Sequence, residues 1–175
     1  MNKEIREFIN RLAEQVISAY KIEIPIKDIK SVVKKMGGQI TYKDNFYDLV
    51  DGSIKKTGKM SFEIALSILQ SEERRNFTIA HELGHLFLHM GFRTNKELWE
   101  KQDKIVYQRK ERKEYQEYQA NEFAAALLMP REKYKEVFDK NTKNNLVDMT
   151  NVADYFGVSI VAARNRGKFL GYLKW

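Results

Sequence analysis

The sequence predicts an α+β fold: mostly helices, a small antiparallel β-sheet packed beside a helix carrying a His-Glu-x-x-His motif, and a short C-terminal helix-turn-helix-like unit. Three observations predict it. Apolar residues recur at helical spacing in most segments. Short β-prone pieces are confined to residues 39–69 and are separated by turn dipeptides. Residues 140–175 hold two short helical patterns around Gly157. The expected organisation is one domain over residues 1–139 and a small subdomain over 140–175.

Residues 3–20 place Ile5, Phe8, Ile9, Leu12, Ala13, Val16 and Ile17 on one helical face. Pro25 is a favoured first helical residue, so a second helix is expected from there to Gly37-Gly38. The pieces QITY, FYDLV and KMSFEIALSI, split by Asp51-Gly52 and Thr57-Gly58, read as the antiparallel sheet. Ser71 followed by Glu72 and Glu73 has the character of an N-cap with acidic first-turn residues, and Gly91 of a C-terminal stop. Residues 92–116 are dense in charge, with helix and loop both open. A helix is expected from about 111 to Met129, with Pro130 opening the next. Beyond the polar stretch DKNTKNN, Thr150 is read as the cap of one short helix and Ser159 of another.

Composition narrows the classes. With 175 residues, 43% hydrophobic and 31% charged, the chain can bury a core and is not a disordered polymer. No Cys is present, which excludes a disulfide scaffold and Cys-ligated zinc. The first fifteen residues are charged throughout and lack a secretory apolar region, and the longest apolar run, Phe123 to Met129, is far too short for a membrane span. A cytoplasmic protein without membrane contact is the expectation. The net charge of +7 is concentrated late, because Lys140, Lys143, Arg164, Arg166, Lys168 and Lys174 face only Asp148 and Asp154.

The chemistry lies in His81-Glu82-Leu83-Gly84-His85. On a helix the two imidazoles stand one turn apart, about 6 Å along the axis and about 40° around it, and can bind one Zn²⁺. Glu82, about 100° from His81, reaches a water rather than the metal, the position of a general base. A third ligand is needed. On the following long helix Glu117 sits at the centre of the apolar face, with Asn121 one turn on; Glu114 is less central, and Glu122 falls about 140° away on the outer side. A carboxylate in a buried face is costly without a cation, so Glu117 is the third ligand expected, the other reading being a salt bridge to an Arg. Asn121 then suits holding a ligand His by hydrogen bond. For His89 a cleft border, a substrate contact and a cationic helix C-cap are open, and direct ligation is disfavoured because it would break the helix near Gly84. Thr78 faces the cleft side or is a satisfied core hydroxyl.

With RRNFTIAHELGHLFLH at 74–89, EYQANEFAAALLMP at 117–130, VADYFGVSIVAARNR at 152–166 and PIKDIKSVVKKMGG near the start, the sequence resembles the ImmA/IrrE-type metallopeptidases over most of its length. The resemblance implies a zincin-like zinc peptidase with His81, His85 and Glu117 as ligands and Glu82 as general base. Family members often come from mobile elements and bacterial stress regulation, where they cleave helix-turn-helix repressors or antitoxins. The charged stretch 92–116 departs from the family pattern, and no residue is assigned to oxyanion stabilisation. For the C-terminal unit a substrate-docking or packing surface is expected first and DNA binding second. The alternative function is a DNA- or protein-binding regulator in which zinc is structural.

Overall fold

Asn2 opens the first helix, α1 (Lys3–Ala19), its side chain accepting from the Ile5 amide at 2.9 Å. The chain is seen as a computed structural model that describes residues 1–43, 51–102, 106–107 (backbone only) and 113–174. Ile9, Ala13 and Val16 face the core from α1. The second helix, α2 (Ile29–Lys35), starts later than Pro25 predicts. Asp28 is its cap, accepting from the amides of Lys30 and Ser31, while Pro25 lies ahead of it after a cis Ile24–Pro25 bond. A side chain that satisfies two orphan amides decides the start here, rather than a residue that merely tolerates it.

The main sheet contains β1 (Gly38–Lys43), β2 (Gly52–Gly58), β3 (Ser61–Ser67) and, after α3 (Glu72–Leu88) and α4 (Lys96–Glu100), β4 (Val106–Tyr107), in the order β1-β3-β2-β4. It is mixed, which corrects the antiparallel expectation. β2 and β3 form an antiparallel hairpin, but β1 runs parallel to β3 on its other side. Two-residue periodicity reports which face of a strand is buried and carries no information on direction. The composition of β3 does mark it as interior: Phe62, Ile64, Ala65 and Leu66 are all buried. The piece FYDLV lies outside the described residues.

In the charged region the side chain of Asn95 caps α4. Trp99 anchors it, donating to the Lys59 carbonyl at 2.7 Å and meeting Phe92 edge-on at 5.0 Å. Then come α5 (Glu114–Leu128) and α6 (Arg131–Lys140), divided by Pro130. The polar stretch is a small hairpin, β5 (Thr142–Lys143) and β6 (Leu146–Val147), with Asn144 and Asn145 at φ +50° and +61°, the conformation a two-residue turn requires. Asp148, not Thr150, caps α7 (Met149–Phe156), and Ser159 caps α8 (Ile160–Leu170) after Gly157 at φ +62°.

The element that positions everything else is α3. One side packs on β2 and β3, the other on α5, and α5 in turn packs on α1. Ile79, Ala80, Leu83, Leu86 and Phe87 are all buried. Among the described residues no helix is long and apolar enough to cross a membrane.

Candidate metal centre

Ser71 caps α3 as the sequence predicts, accepting from the Arg74 amide, and the helix runs through the motif to His89 as its C-cap. It can approach α5 closely because residue 84 is glycine. A Cβ there would lie 2.9 Å from the Ala120 Cα and 3.0 Å from its carbonyl oxygen. A glycine within an amphipathic helix costs about 1 kcal/mol relative to alanine, which is the signal that it serves packing. That close approach carries Glu117 to the two imidazoles.

The three expected ligands meet. The Nε2 atoms of His81 and His85 are 3.1 Å apart, and the Glu117 carboxylate oxygens lie 3.3 Å from the first and 3.2 Å from the second. Two donor atoms about 2.0–2.1 Å from one tetrahedral ion stand roughly 3.3–3.4 Å apart, so this spacing fits a single small cation. The chemistry of the set fits too. His81 Nδ1 lies 2.8 Å from Asn121 Oδ1, an atom that only accepts, so the proton sits on Nδ1 and Nε2 presents a lone pair. Burial pushes the Glu117 carboxyl up; when His81 and His85 are protonated, their hydrogen bonds and charges outweigh this and hold the group well below the usual carboxylate range. In the tautomer that offers lone pairs the imidazoles lack that charge, and lone pairs converging on a carboxylate invite a positive ion in its place. The group His81, His85 and Glu117 can hold a metal.

Glu82 is 1% exposed and lines the same cleft as His81. Gly52, the first residue of β2, makes room for it: a Cβ there would fall 3.2 Å from Glu82 Oε1 and 2.6 Å from Thr78 Cγ2. Asp51-Gly52 reads from sequence as a turn, and this role was not visible there. Thr78 lines the cleft and donates to the Arg74 carbonyl at 2.9 Å. Gln70 ties it in, donating to Thr78 Oγ1 and to the Asp51 carbonyl. Asn121 is placed on His81, as stated above. His89 does not join the ligand group; its ring lies between His85, at 2.9 Å, and Gln119, at 2.9 Å, a partner that no sequence pattern indicated.

The cleft, about 910 Å³, runs from Glu82 and Asn121 to Val158, Val161 and Phe169 of the C-terminal helices. Its far end corrects two expectations. Glu122 is not on the outer side of α5 but 5% exposed, and Arg166 is not part of a charged surface but 1% exposed. They pair at 3.1 Å, and Arg166 also donates to Asn10 Oδ1 at 2.8 Å and to the Met129 carbonyl at 3.0 Å. Arg6 stands 3.4 Å from the same carboxylate. Helix α5 is buried on two sides, against α3 and against α1, so an angle measured from its first apolar face misplaces residues on the second. Burial draws the Arg166 guanidinium down to about 10, against the opposing charge of Glu122. It remains a cation at neutral pH.

No curated protein matches the sequence at a significant level. A solved structure described as a Mycobacterium tuberculosis transcriptional regulator is similar in fold, with a TM-score of 0.60 at 18% identity, covering 94% of this chain and 50% of that one. The chain thus spans half the length of that relative. The profile of the M78 peptidases, described as the IrrE N-terminal-like domain, matches residues 32–168. With the motif helix, the convergent Glu117 and a match over most of its length, the chain belongs to the ImmA/IrrE family of M78 peptidases.

Proposed function

We propose that this chain is a cytoplasmic zinc-dependent endopeptidase that cleaves a regulatory protein, a helix-turn-helix repressor or antitoxin. The observation that carries the reading is the meeting of His81 Nε2, His85 Nε2 and the Glu117 carboxylate beside Glu82 at one end of a cleft. Two nitrogens and a carboxylate, in a chain without Cys, form a donor set suited to zinc. Zn²⁺ held there supplies Lewis acidity, lowering the pKa of water and polarising the scissile carbonyl. Glu82 accepts a proton from the attacking water as its oxygen bonds to the carbonyl carbon. It returns that proton to the departing amine when the C–N bond breaks. Asn121 keeps His81 in the ligating tautomer. In this reading residues 1–139 carry the chemistry, and 140–175, whose Val161 and Phe169 line the cleft, form the wall on which the substrate docks.

The test is cleavage of any helix-turn-helix repressor or antitoxin that the neighbouring genes encode, with zinc content measured on the same samples. The parent is expected to cleave, a chelator to stop it, and Glu82→Gln to lose on the order of 10²–10⁴-fold in rate while keeping its zinc. Undiminished cleavage by Glu82→Gln removes Glu82 from its role. A second reading, a DNA- or protein-binding regulator with structural zinc, draws on exposed Arg164 at α8 and on the description of the structural relative. Salt-dependent duplex binding without proteolysis would favour it.

A further inference from the structure

We infer that His89 and Gln119 form a relay that fixes the tautomer of His85 and so turns its Nε2 lone pair toward the metal position. The inference rests on the zinc reading above and deepens it. It follows from the geometry along three side chains, Gln119, His89 and His85. Gln119 Oε1 accepts only, so His89 Nε2, 2.9 Å away, carries a proton and donates it. In the tautomer with its proton on Nε2, His89 has a lone pair on Nδ1. His85 Nδ1 is 2.9 Å from that atom, so it is the donor in the pair. With its one proton on Nδ1, His85 is left with a bare Nε2, the atom 3.1 Å from His81 Nε2 and 3.2 Å from Glu117. The opposite arrangement would put protons on both His89 nitrogens and on His85 Nε2, which could no longer bind a metal.

The relay also explains how one helix serves both ligands. Helix α5 supplies Glu117 as the third ligand and Asn121 as the direct partner of His81. His85, fully buried, is reached instead through His89, one turn further along α3, from Gln119. Each imidazole therefore has its Nδ1 proton held by a chain that ends on α5. His89 and Gln119 are positioning residues: they touch neither the metal position nor Glu82 in any contact described above.

The experiment is a Zn²⁺ titration of the full chain against a chromophoric chelator, with the visible spectrum of the Co²⁺ form and unfolding of the metal-free chain as further readouts. His89→Leu and Gln119→Leu are expected to lose roughly 10–100-fold in Zn²⁺ affinity and to alter the Co²⁺ spectrum. His89→Asn, which keeps an acceptor near the place of Nδ1, is expected to stay within about threefold of the parent. The relay is overturned if both leucine variants bind like the parent with an unchanged Co²⁺ spectrum, or if His89→Asn falls as far as His89→Leu. Should His89→Leu fail to fold, Gln119→Leu, at a half-buried position, decides alone. A parent chain that takes up no Zn²⁺ overturns the zinc reading itself, a result distinct from either outcome above.

Discussion

Replacing Gly84 with alanine separates packing from ligation. The new Cβ would lie 2.9 Å from the Ala120 Cα and 3.2 Å from the Phe123 Cβ. Carbon atoms in contact prefer about 3.5–4.0 Å, so α3 and α5 must part locally by roughly 0.6–1 Å. Overpacking of this kind costs about 1–3 kcal/mol. Exchanging a helix-interior glycine for alanine returns about 1 kcal/mol. The net loss in stability is therefore about 0–2 kcal/mol, small against the total of a domain this size. The metal site is less forgiving. Glu117 lies one turn from Ala120 on the moving helix, while ligand positions are tolerated only within about 0.2 Å. Zn²⁺ affinity is expected to fall by about tenfold or more, on the scale at which supporting residues act. Competitive Zn²⁺ titration and urea unfolding of the metal-free chain read the two quantities separately. Parent-like affinity in Gly84→Ala would refute the argument that this close approach sets the ligand spacing.

Other perturbations address the far end of the cleft. Arg166→Met removes one partner of the buried pair and should cost about 3 kcal/mol in urea unfolding, the low end for such pairs because Glu122 keeps Asn10 and Arg6. Combining it with Glu122→Met should cost clearly less than the two single changes added together, and simple additivity would argue against the pairing. Val161→Asp, at a position 67% exposed in the cleft wall, should leave stability within about 0.5 kcal/mol. It should raise KM for a protein substrate more than it lowers kcat; an unchanged KM would remove α8 from substrate docking.

Much of the centre was legible because a single helix encodes it. His81, Glu82 and His85 sit within one turn and a half, and a straight α3 leaves their relative angles no freedom. Glu117 was legible for a different reason: a carboxylate in the middle of an apolar face must meet a cation, and the motif supplies the place for one. Gly52, Gln70 and Gln119 were not legible. Each acts through a partner on another element, and nothing local marks the meeting. Gln119, roughly 160° around the helix from Glu117, reaches His89 only because its side chain is long. The direction of β1 was hidden for a related reason, since alternation is the same whichever way a strand runs.

Glu122 and Arg166 show where one-dimensional reading fails on its own terms. The same rule that found Glu117, burial requires a counter-charge, applies to Glu122 with equal force. The angle from the first apolar face places Glu122 outside, where that rule has nothing to act on. Composition in turn assigns the counter-charge, Arg166, to the basic excess of residues 140–175. In the fold the two errors cancel. Glu122 is inside because Arg166 comes to it, and Arg166 is absent from the surface because Glu122 holds it. Burial of Arg166 takes one of the six basic residues of this unit off the surface, while Lys140, Lys143, Arg164 and Lys174 stay exposed. Apolar Val161 and Phe169 line the cleft that also holds Glu82. Those two side chains support the reading proposed above, in which the C-terminal unit faces a protein substrate.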